Sequence, residues 1–208
     1  MLAWILQHGP SFCIGSIVVS YWARVLRLVR KTRRTTGHGA NFLPPEQLGR
    51  ALRMVWLPVV VLWIVVPLLV TFWDHQLPPL RPLWNQLVLR WFAVSIAVAA
   101  LAMTLVCWKR MGRSWRMGID PNEKTQLVVT GPYAYVRHPI YALQSLLLLA
   151  SFVAVPNLAM LCISLIGMLL LQWEARREEQ YLLRAHGEQY EHYLRRVGRF
   201  VPKAVVRS

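Results

Sequence analysis

The chain has 208 residues, of which 56% are hydrophobic, and its mean hydropathy is +0.37. This composition is too apolar for an ordinary soluble domain, in which about half of the residues are apolar, and it predicts an integral membrane protein. A net charge of +15 would suggest a nucleic-acid partner in a soluble protein. Here the cations lie in short loops between apolar runs, so we expect them to set the membrane orientation and to attract anionic lipid head groups instead.

Four apolar runs organise the chain. The fourth is too long for one crossing, because a bilayer core needs about 20 helical residues, and a Pro-Asn turn at Val155–Ala159 divides it. The sequence thus predicts a single all-α membrane domain with about five transmembrane helices and an amphipathic helical tail. In the alternative, the first run lies in the membrane interface and four helices cross. The runs are Phe12–Val29, Met54–Trp73, Leu87–Trp108 and Ile140–Trp173.

The distribution of cations predicts an orientation. One side of the membrane collects 22 of the 24 Lys and Arg residues if it holds the loops Arg30–Arg53 and Lys109–Arg137 and the tail after Glu174, with Arg24 and Arg27 reaching the same side. Positively charged loops face the cytoplasm. We therefore expect the amino terminus outside and the carboxyl tail in the cytoplasm.

The segment "TGPYAYVRHPIYA" stands where the fourth apolar run begins. A Gly-Pro pair starts a turn, and the proline after His138 suits the first turn of a new helix. Free N–H groups at such a helix start can hold a carboxylate or a phosphate. An interfacial belt of aromatic and basic anchors is the alternative interpretation. The residues expected to cluster there are Tyr133, Arg137, His138 and Tyr141.

Five of the seven glutamates lie at the end of the last apolar run or beyond it. Glu174 and Glu178 are four residues apart and share a helix face, with Glu179 beside them. The ordinary interpretation of such a segment is a solvated helix in which glutamates pair with arginines. We accept it for Glu188, Glu191 and most of the arginines downstream, but not for the adjacent pair Glu178 and Glu179.

The short Pro-Asn turn makes the last two helices antiparallel neighbours. His138 at one helix start and Glu178 at the other helix end are then expected to lie side by side at the cytoplasmic boundary. Such a pocket suits a zwitterionic ligand. Its carboxylate would bind Arg137 and the helix N–H groups, and its ammonium or hydroxyl groups would bind Glu178 or Glu179.

The segments "LVVTGPYAYVRHPIYA" and "EEQYLLRAHGEQYEHYLRRVGRFVP" resemble the isoprenylcysteine carboxyl methyltransferase family and the related phospholipid methyltransferases. These are multi-span membrane enzymes that use S-adenosylmethionine. The resemblance covers about the last hundred residues, so it divides the chain into a methyltransferase core at 109–208 and amino-terminal helices at 1–108 whose specificity we do not assign. By position, the cofactor-binding residues it implies are Tyr133, Arg137, His138, Pro139, Tyr141, Glu178 and Glu179.

The resemblance implies a methyltransferase that acts on a lipophilic acceptor, most like an isoprenylcysteine carboxyl O-methyltransferase, and releases S-adenosylhomocysteine. A phosphatidylethanolamine amine or a small thiol is an alternative acceptor, and a lipid-binding membrane scaffold is the non-enzymatic alternative. The short chain resembles the compact bacterial members, which implies an inner-membrane location. The catalytic residues expected are Arg137, Arg177 and Glu178; further acceptor-side candidates are Arg113, Trp115 and Arg176.

Two other classes of site are not supported by the sequence. No G-x-G-x-x-G is present, which excludes a Rossmann-type methyltransferase. The histidines are scattered and have no Cys or Asp near them at ligand spacing, so we expect no metal site.

Overall fold

The structure of the chain is a computed structural model, and its described residues are all helical except for turns, loops and one isolated parallel bridge between Val136 and Gly198. Short 3-10 turns lie at Pro78–Leu80 and Gly131–Ala134. The described residues are 2–36, 47–73, 77–112, 115 and 127–203.

The α-helices in this part of the chain are α1 Leu2–Thr36, α2 Gln47–Phe72, α3 Leu87–Met111, α4 Pro139–Ala154, α5 Leu158–His186 and α6 Glu188–Arg196. By length and composition, four of them can cross a membrane: α1, α2, α3 and α5. Helix α4 is apolar but has only 16 residues. The predicted all-α membrane fold is confirmed, and the first apolar run is part of a helix long enough to span.

Hydrogen bonds between buried side chains fix how the helices align. The Tyr21 hydroxyl on α1 donates to Gln144 Oε1 on α4 (3.1 Å), and the Trp63 indole on α2 donates to Ser151 Oγ on α4 (3.0 Å). A buried polar group is costly in hydrocarbon unless it has a partner, so each pair favours one register between its two helices. Helix α4 is thereby held at a fixed height against α1 and α2.

Helices α4 and α5 form the tight hairpin that the Pro-Asn turn predicted. Asn157 caps α5, because its side-chain oxygen accepts a hydrogen bond from the Met160 amide at 2.8 Å. The two helices approach closely at Gly167, where an added Cβ would lie 2.8 Å from the Leu148 side chain. The start of α4 and the carboxyl-terminal part of α5 are therefore neighbours, as the sequence predicted.

Arg90 closes the opposite end of the bundle. Its side chain is buried, and it donates to the Ala154 carbonyl at the end of α4 (2.9 Å) and to Ser11 Oγ on α1 (3.2 Å). A cation at the carboxyl end of a helix is favoured by the helix dipole and by the free carbonyls there. Arg90 thus joins α1, α3 and α4 at the end of the bundle away from the candidate site.

Candidate functional site

The site begins where the chain after α6 docks beside the start of α4. The Arg137 amide donates to the Gly198 carbonyl (2.8 Å), and the His138 amide donates to the Arg199 carbonyl (3.0 Å). A Cβ at Gly198 would lie 1.9 Å from the Val201 carbonyl oxygen, so only glycine fits this turn. The docked tail brings Arg199 to the end of α5.

Glu179 lies at the centre of the cluster. Its carboxylate accepts hydrogen bonds from Arg137 Nε (2.9 Å), Arg199 Nε (3.0 Å) and Arg199 Nη2 (2.5 Å), and Arg137 Nη2 lies 2.8 Å away. Arg137 also donates to the carbonyls of Leu194 and Val197. The Glu179 side chain is only 7% exposed. Charge-assisted hydrogen bonds of this kind are strong and directional, so Glu179 ties α5 to the start of α4 and to the tail.

His138 lies between the two glutamates. Its Nδ1 is 3.5 Å from Glu178 Oε2, and its Nε2 is 3.3 Å from Glu179 Oε1. The contact at Nε2 is an ion-pair contact and does not count as a hydrogen bond among the described residues. The ring stacks on Tyr141 at 5.4 Å and meets the edge of Phe200 at 6.2 Å. Burial alone lowers the pKa of His138, but the contacts with the two glutamates outweigh burial and raise the pKa above its usual value.

The two adjacent glutamates are not equivalent. The Glu178 side chain is 31% exposed, and its ion-pair contact is the longer one, at 3.5 Å from His138. Glu179 is 7% exposed and holds two arginines. Glu178 is therefore the carboxylate of the pair that a ligand can reach, whereas Glu179 is already bound by protein groups.

Tyrosines on the Gly131–Ala134 turn and on α6 surround this cluster. The Tyr193 hydroxyl on α6 donates to the Tyr133 carbonyl (2.5 Å), and the Tyr133 hydroxyl lies 3.4 Å from Met111 Sδ at the end of α3. Burial raises the pKa of Tyr193 to about 12 and also raises the pKa values of Tyr133 and Tyr190. The phenols of Tyr133 and Tyr193 therefore act as neutral hydrogen-bond donors near pH 7.

A second charged group lies one turn further into the bundle. Arg177 Nη1 donates to Glu174 Oε2 at 3.0 Å, and the Arg177 side chain is 12% exposed. Arg53 on α2 interacts electrostatically with Glu174 and lies 4.9 Å from the centre of the Trp56 ring. The amino-terminal half of the chain therefore adds a cation to the site, which the sequence did not predict.

The site residues predicted around His138 and around the paired glutamates lie together. The three additional acceptor-side candidates do not all join them. Arg176 is exposed, and Trp115 is buried with 5% of its surface accessible. Arg113 lies outside the described residues. Arg199 was not among the residues predicted for the site, but it binds Glu179. A signal for it was present in the "GRF" triplet, since Gly198 and Phe200 both pack into the cluster.

The family comparison covers the segment that holds this cluster. Residues 93–184 match the isoprenylcysteine carboxyl methyltransferase (ICMT) family. The matched segment includes the start of α4 and the paired glutamates of α5, and it confirms the resemblance found in the sequence. The ICMT match supports a membrane methyltransferase, and members of this family generally use S-adenosylmethionine.

One curated protein is similar over part of its length. The chain is 27% identical over 111 residues to the nickel-cobalt-cadmium resistance protein NccN of Alcaligenes xylosoxydans xylosoxydans. The aligned segment covers 53% of this chain and 52% of that protein. The alignment thus spans about half the length of this curated relative. Within the described residues, no group of three or more His, Cys, Asp or Glu side chains could hold a metal ion.

Proposed function

We propose that the chain is an S-adenosylmethionine-dependent methyltransferase of the cytoplasmic membrane face, most like an isoprenylcysteine carboxyl O-methyltransferase, acting on a lipophilic acceptor. The observation behind this proposal is the contact of His138 with Glu178 and Glu179, which joins the two motifs of the ICMT-matched segment in one cluster. The cofactor-binding residues proposed are Tyr133, Arg137, His138, Pro139, Tyr141 and Glu178, and Glu179 is proposed to position Arg137.

The donor set of the site fits this cofactor. Glu178 offers an accessible carboxylate for an ammonium or for ribose hydroxyls, and the buried His138 Nε2 has a hydrogen-bonding capacity that the described residues do not use. Tyr141 and Phe200 supply aromatic faces next to His138, which suit a sulfonium. When bound, the cofactor supplies an electrophilic methyl group on a positively charged sulfur. Glu179 positions Arg137 and leaves Glu178 for the ligand.

The residues proposed for catalysis are Arg137, Arg177 and Glu178. A carboxylate acceptor is already ionised at neutral pH and needs a cation to orient it and exclusion of water, but no base. Arg177 is held by Glu174 and is mostly buried, so it can orient such a group without large loss of side-chain entropy. The cations Arg53 and Arg177 on one side of the site favour an anionic acceptor over an amine.

The alternatives differ in what the site must do to the acceptor. A phosphatidylethanolamine amine must lose a proton before attack, for which Glu178 would serve as base, and a thiol must ionise. A lipid-binding scaffold would not need an accessible carboxylate beside a buried imidazole. The name of NccN refers to metal resistance, and the contacts of His138 with Glu178 and Glu179 give that activity no specific support.

Binding of S-adenosylhomocysteine to the purified protein tests the cofactor assignment. We expect calorimetric titration in lipid nanodiscs to give saturable binding with one site per chain. Absence of heat at millimolar ligand, with the protein folded by circular dichroism, would leave the scaffold as the better explanation.

The proposed orientation predicts reporter locations. A reporter fused after Ser208 is expected in the cytoplasm, and one inserted between Asp74 and Arg81 is expected on the opposite side, because 22 of the 24 cations then face the cytoplasm. Paired alkaline phosphatase and green fluorescent protein fusions at both positions measure this. Activity of the same reporter type at both positions would contradict the arrangement of α2 and α3.

If the acceptor is lipophilic, the rate should depend on its mole fraction in the membrane. The acceptor would partition into the bilayer and reach the site between helices, whereas the charged cofactor would arrive from water. At a fixed bulk concentration below saturation, diluting the acceptor about tenfold with inert lipid should lower the initial rate about tenfold, since the rate then follows mole fraction. Unchanged rates would indicate a water-soluble acceptor and would move the small-thiol alternative ahead.

A further inference from the structure

The cytoplasm-facing end of α1 is strongly basic. Six Lys and Arg residues fall within eleven positions, and α1 contains no Asp or Glu to balance them. Like charges four residues apart repel each other along a helix, and an anionic ligand lowers that repulsion. The six residues are Arg24, Arg27, Arg30, Lys31, Arg33 and Arg34.

Four of these cations share one face of the helix. Arg27, Arg30, Lys31 and Arg34 follow the spacing i, i+3, i+4 and i+7, and all four side chains are exposed. Together they line an open groove of about 400 Å³. This groove, which we call the α1 basic groove, is large enough for a phosphate-bearing head group.

The height of the groove follows from the hydrogen bond between Tyr21 and Gln144. Arg27 lies six residues beyond Tyr21 on α1, and His138 lies six residues before Gln144 on the antiparallel α4, which is about 9 Å along each helix. The groove therefore begins level with His138, at the proposed membrane boundary. Leu26, beside it, is 47% exposed, so cations and apolar surface are adjacent there.

The helix is also longer than a crossing requires. Its 35 residues extend about 52 Å, against about 30 Å for the hydrocarbon core of a bilayer. The basic end of α1 therefore continues through the head-group layer, where phosphates are concentrated. A soluble anion would use the cations but not the exposed leucine next to them.

We propose that the α1 basic groove binds the head group of an anionic phospholipid, with the acyl chain against the exposed side of α1 at Leu26. The cations supply charge-assisted contacts to phosphate oxygens, and the membrane supplies the lipid at high local concentration. This site is separate from the methyl-transfer cluster and does not depend on the proposed activity.

Native mass spectrometry of the delipidated full chain tests the proposal with two probes, phosphatidylglycerol and phosphatidylcholine. We expect the wild type to retain phosphatidylglycerol with roughly tenfold or greater preference, and the variant R27Q/R30Q/K31Q/R34Q to lose that preference. The control variant R184Q/R195Q/R196Q/K203Q removes the same number of exposed tail charges and should keep it. The variant R27K/R30K/R34K keeps the charges and should also keep most of the preference, so it distinguishes loss of charge from misfolding.

Three results would overturn the proposal. The first is equal retention of the two lipids by the wild type. The second is an equal loss of preference in the groove variant and in the tail control, which would mean that total charge alone attracts the lipid. The third is displacement of bound phosphatidylglycerol by inorganic phosphate at similar concentration, which would indicate a site for soluble anions.

Discussion

Replacing Glu179 by glutamine is expected to lower the free energy of unfolding by about 3–5 kcal/mol, the usual cost of breaking a buried ion pair by removing one partner. Arg137 is 8% exposed and Arg199 is 30% exposed, so both guanidinium groups would remain near each other without their shared carboxylate. The docked tail should then separate from the start of α4.

Reversible unfolding in mixed micelles, followed by circular dichroism, measures this effect. Glu191→Gln is the matched control, because Glu191 pairs with Arg195 on the exposed face of α6, where the two side chains are 50% and 73% exposed. Removal of that surface pair should cost less than about 1 kcal/mol. Equal losses in the two variants would contradict the central structural role of Glu179.

Replacing Glu178 by glutamine is expected to weaken ligand binding while leaving the stability of the fold nearly unchanged. Its carboxylate is accessible and contacts His138 at 3.5 Å, so the free energy of unfolding should change by less than about 1 kcal/mol. The dissociation constant for S-adenosylhomocysteine should instead rise by about 10-fold to 160-fold, since a charge-assisted hydrogen bond contributes about 1.5–3 kcal/mol.

Calorimetric titration of Glu178→Gln, Glu188→Gln and the wild type in the same nanodiscs measures this effect. Glu188 is exposed at the start of α6 and should leave the affinity unchanged. An unchanged affinity in Glu178→Gln would remove this carboxylate from the proposed site. A loss of stability as large as that of Glu179→Gln would assign it to the structural cluster instead.

The contrast between the adjacent glutamates marks the limit of what the sequence could predict. The Pro-Asn turn is a local signal, and it correctly predicted that the start of α4 lies beside the end of α5. Which glutamate is buried depends on where Arg199 docks, and that position is set by hydrogen bonds from Arg137 and His138 to the chain after α6. Contacts between segments about 60 residues apart leave no periodic pattern in the sequence.

The amino-terminal half illustrates the same limit. Its apolar runs predicted helices, but no spacing rule could place Arg53 near Glu174, because that contact depends on how α2 packs against α5. The first helix is also longer than its apolar run predicts. The apolar run ends near Val29, whereas α1 continues to Thr36, because arginine and lysine are good helix formers.

Transfer of a labelled methyl group tests the central claim most directly. Nanodisc-embedded protein is incubated with methyl-labelled S-adenosylmethionine and an N-acylated S-farnesylcysteine, and the organic extract is counted before and after mild base. A methyl ester releases volatile methanol in base, whereas N-methyl and S-methyl products do not. We predict base-labile label with the wild type and Glu191→Gln and little with Glu178→Gln. No label in any lipid-soluble product, or equal rates for the wild type and Glu178→Gln, would contradict the account.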